Sequence, residues 1–282
     1  MSNFHGDDVI PAVPEKAHFH VIPVPYEASV SYGHGTALGP QTILEASAQL
    51  ELFDNKNVPA ELGIYTAPAV DCKGTRDEVF ARIEEAVACA LRQDAVPVVL
   101  GGEHSISSAV VKAVVGKYGR VGVVQFDAHA DLRDSYEGSI WSHASVMKRI
   151  FDMGLPIYQI GTRSYSVEEN ELRRKEGIPY VDAERLYSEG LEAVRLPDDF
   201  PEKIFITFDI DALDGAIMPA TGTPVPGGIS WYQAMWLVER LMKERQCVGF
   251  DVVEYAPIKG FHAFDFAAAQ LVYNMMGYQA RS

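Results

Sequence analysis

The sequence predicts an α/β protein built on a parallel sheet with helices on both faces. Three observations carry this. Strand-like and helix-like segments alternate along nearly all of the 282 residues. Several strand segments are largely apolar, and some, such as Val96–Leu100, are continuous apolar runs, as expected of strands covered on both sides. The residues best suited to chemistry follow those runs directly, at the carboxyl edge where open parallel sheets bind ligands.

Residues 1–17, with Pro11, Pro14 and little periodicity, read as a flexible lead-in. Residues 18–282 read as one domain, because no repeat, low-complexity tract or linker divides them. His18–Pro23 is the first strand. Tyr26–Gly39 is a glycine-rich loop, and Pro40 suits the first turn of a helix running to about Leu52. Thr75 caps a helix to about Arg92, whose Val79, Ile83, Ala86, Val87 and Ala90 share one face. Val96–Leu100 is a strand, Ser105–Val115 a helix and Val121–Phe126 a strand. A loop over Asp131–Trp141 leads to a helical stretch over Ser142–Phe151. The strand Ile157–Gly161, the helix Val167–Glu176, a short strand Pro179–Asp182 and a small helix near Asp182–Ser188 follow. After the strand Ile204–Phe208, Asp214–Gly228 holds three Pro and four Gly and reads as a long irregular loop. Ser230 caps a helix to about Glu244, Cys247–Val253 is the last strand, and His262–Met276 the last helix.

Composition narrows the classes. With 24 basic and 39 acidic residues the formal charge is −15, and no basic stripe is visible, which argues against a nucleic-acid partner. The sign suits a cationic substrate or a metal. The three cysteines, Cys72, Cys89 and Cys247, form no paired spacing; Cys89 and Cys247 sit in apolar contexts and read as buried, and the usage suits a reducing cytoplasm. Met1–Pro14 lacks a basic segment followed by an apolar core, so it is not a secretory signal. No apolar run approaches the roughly 20 residues of a membrane span.

The chemistry-bearing residues sit after three strands. Val121–Phe126 is followed by Asp127-Ala-His129-Ala-Asp131, Ile204–Phe208 by Asp209-Ile-Asp211, and Val96–Leu100 by Gly101-Gly102-Glu103-His104. In an extended backbone, alternate residues point to one side, so each set converges. Four carboxylates in one dry cleft repel unless protonated or neutralised, and two divalent ions would balance them. Oxygen-rich ligation with two imidazoles suits manganese, whereas zinc favours more nitrogen or sulfur and fewer ligands. Cobalt, nickel or iron fit the same donors.

The chain resembles the ureohydrolases, the family of agmatinase and arginase. The resemblance spans about Tyr26 to Tyr278 and rests on Gly39-Pro40 through Ala46-Ser47, Gly101–Ser105, Phe126–Asp131, Ser142-His143, Phe208–Asp214, Gly222-Thr223-Pro224, Gly227-Gly228 and Asp251–Pro257. It implies a three-layer α/β/α sandwich around a largely parallel sheet and two Mn2+ per chain. It implies Asp127 and Asp209 as bridging carboxylates, His104 and Asp131 completing one metal site, and His129 and Asp211 the other. Asp131 also holds the nucleophile, Glu254 receives the guanidinium, His143 shuttles a proton and Thr223 lies against substrate. The implied substrate is a small cationic guanidine, agmatine foremost, cleaved to putrescine and urea. Guanidinobutyrase, arginase or formiminoglutamase activity is the alternative within the family. A metal-dependent deacetylase or a non-catalytic scaffold is the alternative outside it. A cytoplasmic homo-oligomer, trimer or hexamer, is also implied. Two positions depart from the family. Asp214-Gly215 replaces Asp-Pro, which predicts a looser loop, and Arg133 stands where arginases carry Asn, which speaks against arginine as substrate. Asp134 or Glu137 is expected to face the substrate's distal amine, and Arg133 to meet a carboxylate of substrate or of Asp134.

Overall fold

A computed structural model describes residues 2–282. Eight strands form one all-parallel sheet: β1 (Phe19–Val24), β2 (Ile64–Thr66), β3 (Val96–Gly101), β4 (Gly122–Phe126), β5 (Ile157–Ile160), β6 (Tyr180–Val181), β7 (Lys203–Asp209) and β8 (Gln246–Val253). Their order is β2-β1-β3-β8-β7-β4-β5-β6. Every pairing is parallel, so all carboxyl ends lie along one edge.

Eight α-helices cover the two faces: α1 (Gly39–Ser47), α2 (Arg76–Arg92), α3 (Ser107–Tyr118), α4 (Val146–Asp152), α5 (Val167–Glu176), α6 (Ala183–Glu189), α7 (Trp231–Glu244) and α8 (His262–Gln279). Each face has its own apolar core. On one, Ile43 and Leu44 of α1, Leu237 and Leu241 of α7 and Leu271 and Val272 of α8 pack on Phe126, Ile206 and Phe208. On the other, Ile83 and Val87 of α2, Val110 and Val114 of α3 and Met147 and Ile150 of α4 pack on Val99, Val123 and Phe205. Because successive strand residues face opposite sides, strands that are apolar at nearly every position satisfy both layers, which explains the near-continuous runs. The result is the three-layer α/β/α sandwich around a parallel sheet.

The caps at Thr75 and Ser230 are present, each as a reciprocal box with Glu78 or Gln233. Several boundaries differ from the sequence reading. The helix from Gly39 ends at Ser47, not Leu52: Ser47 Oγ donates to the Leu44 carbonyl at 2.8 Å and accepts the His5 N–H at 2.9 Å, and tight three-residue turns follow at Gln49 and Leu50. A 3-10 turn over His104–Ile106 precedes α3, and α8 runs on to Gln279. Strand β2 is only three residues, too short to show alternation, and went unread. Cys89 is exposed on α2, whereas Cys247 is buried. Residues 2–17 contain no strand or α-helix, yet Phe4 and His5 are buried, with Tyr273 of α8 beside both rings. Among the described residues no helix is long and apolar enough to cross a membrane.

The topology positions the site. The chain builds β1 to β3, leaves a gap, builds β4 to β6, and returns to fill the gap with β7 and β8. The carboxyl ends of the four central strands β3, β8, β7 and β4 therefore border one crevice. Asp209 ends β7, and His104, Glu254, Asp211 and the Asp127–Asp131 segment follow the four strands.

Candidate metal centre

The crevice gathers two imidazoles and four carboxylates. His104 Nδ1 lies 3.2 Å from Asp127, 3.1 Å from Asp131 and 3.4 Å from Asp209, in each case from Oδ2. His129 Nδ1 lies 3.1 Å from Asp211 Oδ2 and 3.5 Å from Asp127 Oδ1. Asp127 thus addresses His104 with one oxygen and His129 with the other. His104, Asp127 and Asp209 form one group able to hold an ion, and Asp127, His129 and Asp211 a second.

Local backbone donors aim these groups. Asp127 Oδ1 accepts the His129 N–H at 2.6 Å, Asp211 Oδ1 the Ala128 N–H at 2.9 Å, and Asp209 Oδ1 the Asp211 N–H at 2.9 Å. In Asp209 and Asp211 one oxygen is thereby anchored and the other turned to the cluster. The second nitrogen of His104, Nε2, lies 2.9 Å from Thr207 Oγ1, which directs Nδ1 at the carboxylates.

Convergence does not come from simple alternation along a strand. Strand β4 stops at Phe126, and Asp131 stands at φ 51°, in the left-handed region, turning its carboxylate back toward His104. Asp211 sits in a 3-10 turn, Ile210–Ala212, after β7. Glu254 is left-handed as well, at φ 61°. Backbone strain of this kind collects at functional positions.

The electrostatics match a site built for cations. Burial would lower the pKa of both imidazoles, yet the carboxylates around them override it: His129 is raised to about 12 and His104 rises well above its usual value. Asp127 is buried too, but the two imidazoles beside it hold it well below the usual carboxylate range. Burial and the charge of Asp127 push Asp131 up to about 7, and burial with the charges of Asp211 and Asp127 raises Asp209. Protons thus offset the crowding in the chain alone. His104 Nδ1 is buried without a hydrogen-bond partner although three carboxylate oxygens stand within 3.4 Å. An orphaned ring nitrogen facing three anionic oxygens fits a metal ion.

The family-model comparison decides the lineage: the Arginase family model matches residues 17–277. The chain belongs to the arginase family. An N(1)-aminopropylagmatine ureohydrolase of Synechocystis sp. is 37% identical over 277 residues, covering 93% of this chain and 89% of that relative. An agmatinase of Pyrococcus horikoshii is 32% identical, with 98% and 97% covered. The solved agmatine ureohydrolase of Thermoplasma volcanium superposes with a TM-score of 0.88 at 29% identity, covering 100% of this chain and 95% of that one.

In this arginase-family chain two connected chambers adjoin the cluster. The inner one, about 30 Å³, is lined by Glu254, His143, Thr223 and the metal-ligand candidates, with Ser31 to Gly33 of the glycine-rich loop across from them. The outer one, about 270 Å³, is lined by Arg133, Tyr136, Tyr165 and Glu169 and shares Asp131, His143 and Thr223 with the inner. Burial, then the Glu103 and Asp211 charges, push Glu254 up to about 8, opposed by the His104 N–H that it accepts at 2.6 Å. Burial lowers the His143 pKa.

Asp134 and Glu137 do not line either chamber; Asp134 is held by Arg149 at 3.0 Å. Arg133 lies over the Tyr136 ring and 3.8 Å from Glu169, so it does not pair with Asp134. The Asp214 loop is pinned rather than loose. Asp214 accepts the N–H groups of Ala216, Gly227 and Gly228 at 2.8–2.9 Å.

Three supporting residues went unread in the sequence. Gln125 donates to Asp127 at 2.7 Å and is itself held by Gln159 at 2.6 Å. Arg163 donates to the carbonyls of Asp211 and Val225 at 2.6 and 2.8 Å, tying the ligand turn to the long loop. A polar residue inside an apolar strand was the available signal for the two glutamines.

Proposed function

We propose that this chain is a binuclear-metal hydrolase that cleaves the guanidinium C–N bond of agmatine, giving putrescine and urea. The observation that carries the reading is the pair of histidine–carboxylate groups sharing Asp127. His104, Asp127, Asp131 and Asp209 would hold one ion and Asp127, His129, Asp209 and Asp211 the other. Two divalent ions, manganese in this reading, supply an activated water and neutralise the four carboxylates. Glu254 faces the same chamber with a carboxylate matched to a planar guanidinium by charge-assisted hydrogen bonds. A bound cation draws Glu254 back to its charged form. Asp131 presents an acceptor to the water's hydrogen and aims its attack at the guanidinium carbon. His143, in the wall of both chambers, delivers a proton to the departing amine. Thr223 borders the substrate path.

The outer chamber favours a second reading. Its volume, about 270 Å³, leaves room for the part of a substrate that lies beyond the guanidinium. The Synechocystis relative is named for an aminopropyl-extended substrate, and that substrate is the second reading. Urea release from agmatine, N1-aminopropylagmatine, arginine and guanidinobutyrate by manganese-loaded protein separates the readings. Agmatine is expected to have the highest kcat/KM. A tenfold advantage for the extended substrate moves the assignment to it, and preference for arginine sinks both.

A further inference from the structure

Glu103, between β3 and His104, is fully buried, and four donors converge on it. They are the Ala28 and Ser29 N–H groups at 2.5 and 2.6 Å, the Ser29 hydroxyl at 2.9 Å and the Ser105 hydroxyl at 2.5 Å. A carboxylate accepting four donors has no hydrogen to return, so the single Ser29 hydroxyl hydrogen points to Glu103. The Ser29 oxygen then offers only lone pairs to its other neighbours. Both of these belong to His143: the backbone N–H at 3.1 Å and ring Nδ1 at 3.3 Å.

A lone pair directed at Nδ1 requires a hydrogen there. A neutral imidazole carries one, so its free lone pair is on Nε2. Ser142 Oγ is the competing neighbour, 3.4 Å from Nδ1, and it also accepts the Ala144 N–H at 3.3 Å. Donation from Ser142 to Nδ1 would demand the opposite tautomer. That would set the closer Ser29 oxygen and Nδ1 lone pair against lone pair.

We propose that Ser29 and Glu103 are positioning residues that hold His143 in the Nδ1–H form, so that Nε2 alone exchanges protons. The inference rests on the reading of His143 as proton donor to the leaving amine. In that step Nε2 gives its proton to the amine nitrogen as the C–N bond breaks and the bonding electron pair leaves with nitrogen. That proton first reaches Nε2 from the attacking water, so the ring is neutral before the step and neutral again after it, and Nδ1–H is unchanged throughout. Ser29 also couples the glycine-rich loop to the ring, so the strand-end carboxylate, the loop and the proton donor act as one unit.

The tautomer is read directly by nitrogen-15 NMR of full-length, histidine-labelled protein loaded with diamagnetic zinc. Loss of signal in His143→Gln assigns the ring. The parent is expected to show a protonated Nδ1 and an unprotonated Nε2 at pH 8. Ser29→Ala is expected to shift toward the Nε2–H form that free histidine prefers. Kinetically, with two metal ions retained, Ser29→Ala should lower kcat roughly tenfold or more while KM stays within about twofold, and Ser29→Thr should restore it. In a His143→Ala background the Ser29→Ala change should add nothing. An Nε2–H signature in the parent, or an undiminished Ser29→Ala loss without His143, overturns the proposal. If His143→Ala turns over like the parent while the Nδ1–H signature stands, the proton-donor reading fails and the tautomer assignment survives.

Discussion

Glu254→Gln tests the guanidinium contact with little change of shape. In the parent, Oε1 already accepts the His104 N–H at 2.6 Å, inside a buried site. A glutamine there is not free to choose its orientation. Its carbonyl oxygen must take the His104 N–H, because the alternative leaves that buried donor facing the amide hydrogens. The NH2 group is thereby turned into the chamber, where it opposes the N–H groups of a guanidinium. The substitution removes one charge-assisted bond, worth about 1.5–3 kcal/mol, and adds a mismatched donor of about 1–3 kcal/mol. Together these cost about 2.5–6 kcal/mol, on the order of 10²–10⁴-fold in kcat/KM. Glu254→Ala loses the bond and opens space for water without the donor clash, so glutamine should be no better than alanine. Steady-state urea release by the two variants, alongside metal analysis showing two ions per chain, makes the comparison. Glutamine turning over within a few-fold of the parent would refute the reasoning, since that side chain could not then be holding a cation. Loss of metal from the glutamine variant would refute it differently, by making Glu254 part of the metal centre.

Asp127 touches both imidazoles, so Asp127→Ala should abolish binding of both ions and reduce turnover by at least about 10³-fold. Elemental analysis of the purified variant showing two retained ions would remove Asp127 from its bridging place. Away from the centre, His5 is buried with neither ring nitrogen bonded, and burial lowers its pKa to about 4. Between pH 6.5 and 4 the unfolded chain binds a proton there that the folded chain does not, so stability rises with pH across that window. It is lost on acidification, by about 3 kcal/mol in full. Urea unfolding at pH 7.5 and 4.5 should show this acid loss in the parent and a smaller one, by roughly that amount, in His5→Phe. Equal losses in both proteins would show that His5 does not titrate as a buried neutral ring.

What the sequence made legible was whatever depends on neighbours along the chain. Apolar runs buried on both faces, the Thr75 and Ser230 caps and the acids placed directly after strands are local signals, and a parallel sheet converts them into one edge. What escaped depends on distant partners. Gln125 and Gln159 read as interruptions in apolar strands until β4 lies beside β5. Arg163 carries no local signal, and its partner carbonyl at Val225 lies 62 positions away in the Asp214 loop. Ser29 is one of several small residues in a flexible-looking segment until Glu103, 74 positions later, captures it. The left-handed turn at Asp131 is a separate case. The alternation rule led to the correct convergence through the wrong geometry, because a strand continuing to Asp131 and a turn at Asp131 both direct the carboxylate inward. A turn there has a consequence that an extended strand lacks. It brings the Asp131 carbonyl to the N–H groups of Met147 and Lys148 at 3.0 and 3.1 Å, at the start of α4, the helix that follows His143. The proposed proton donor and the carboxylate assigned to the nucleophile are therefore held in one rigid corner. Lengthening the Leu132–Trp141 loop leaves that corner intact, whereas straightening the backbone at Asp131 would pull them apart.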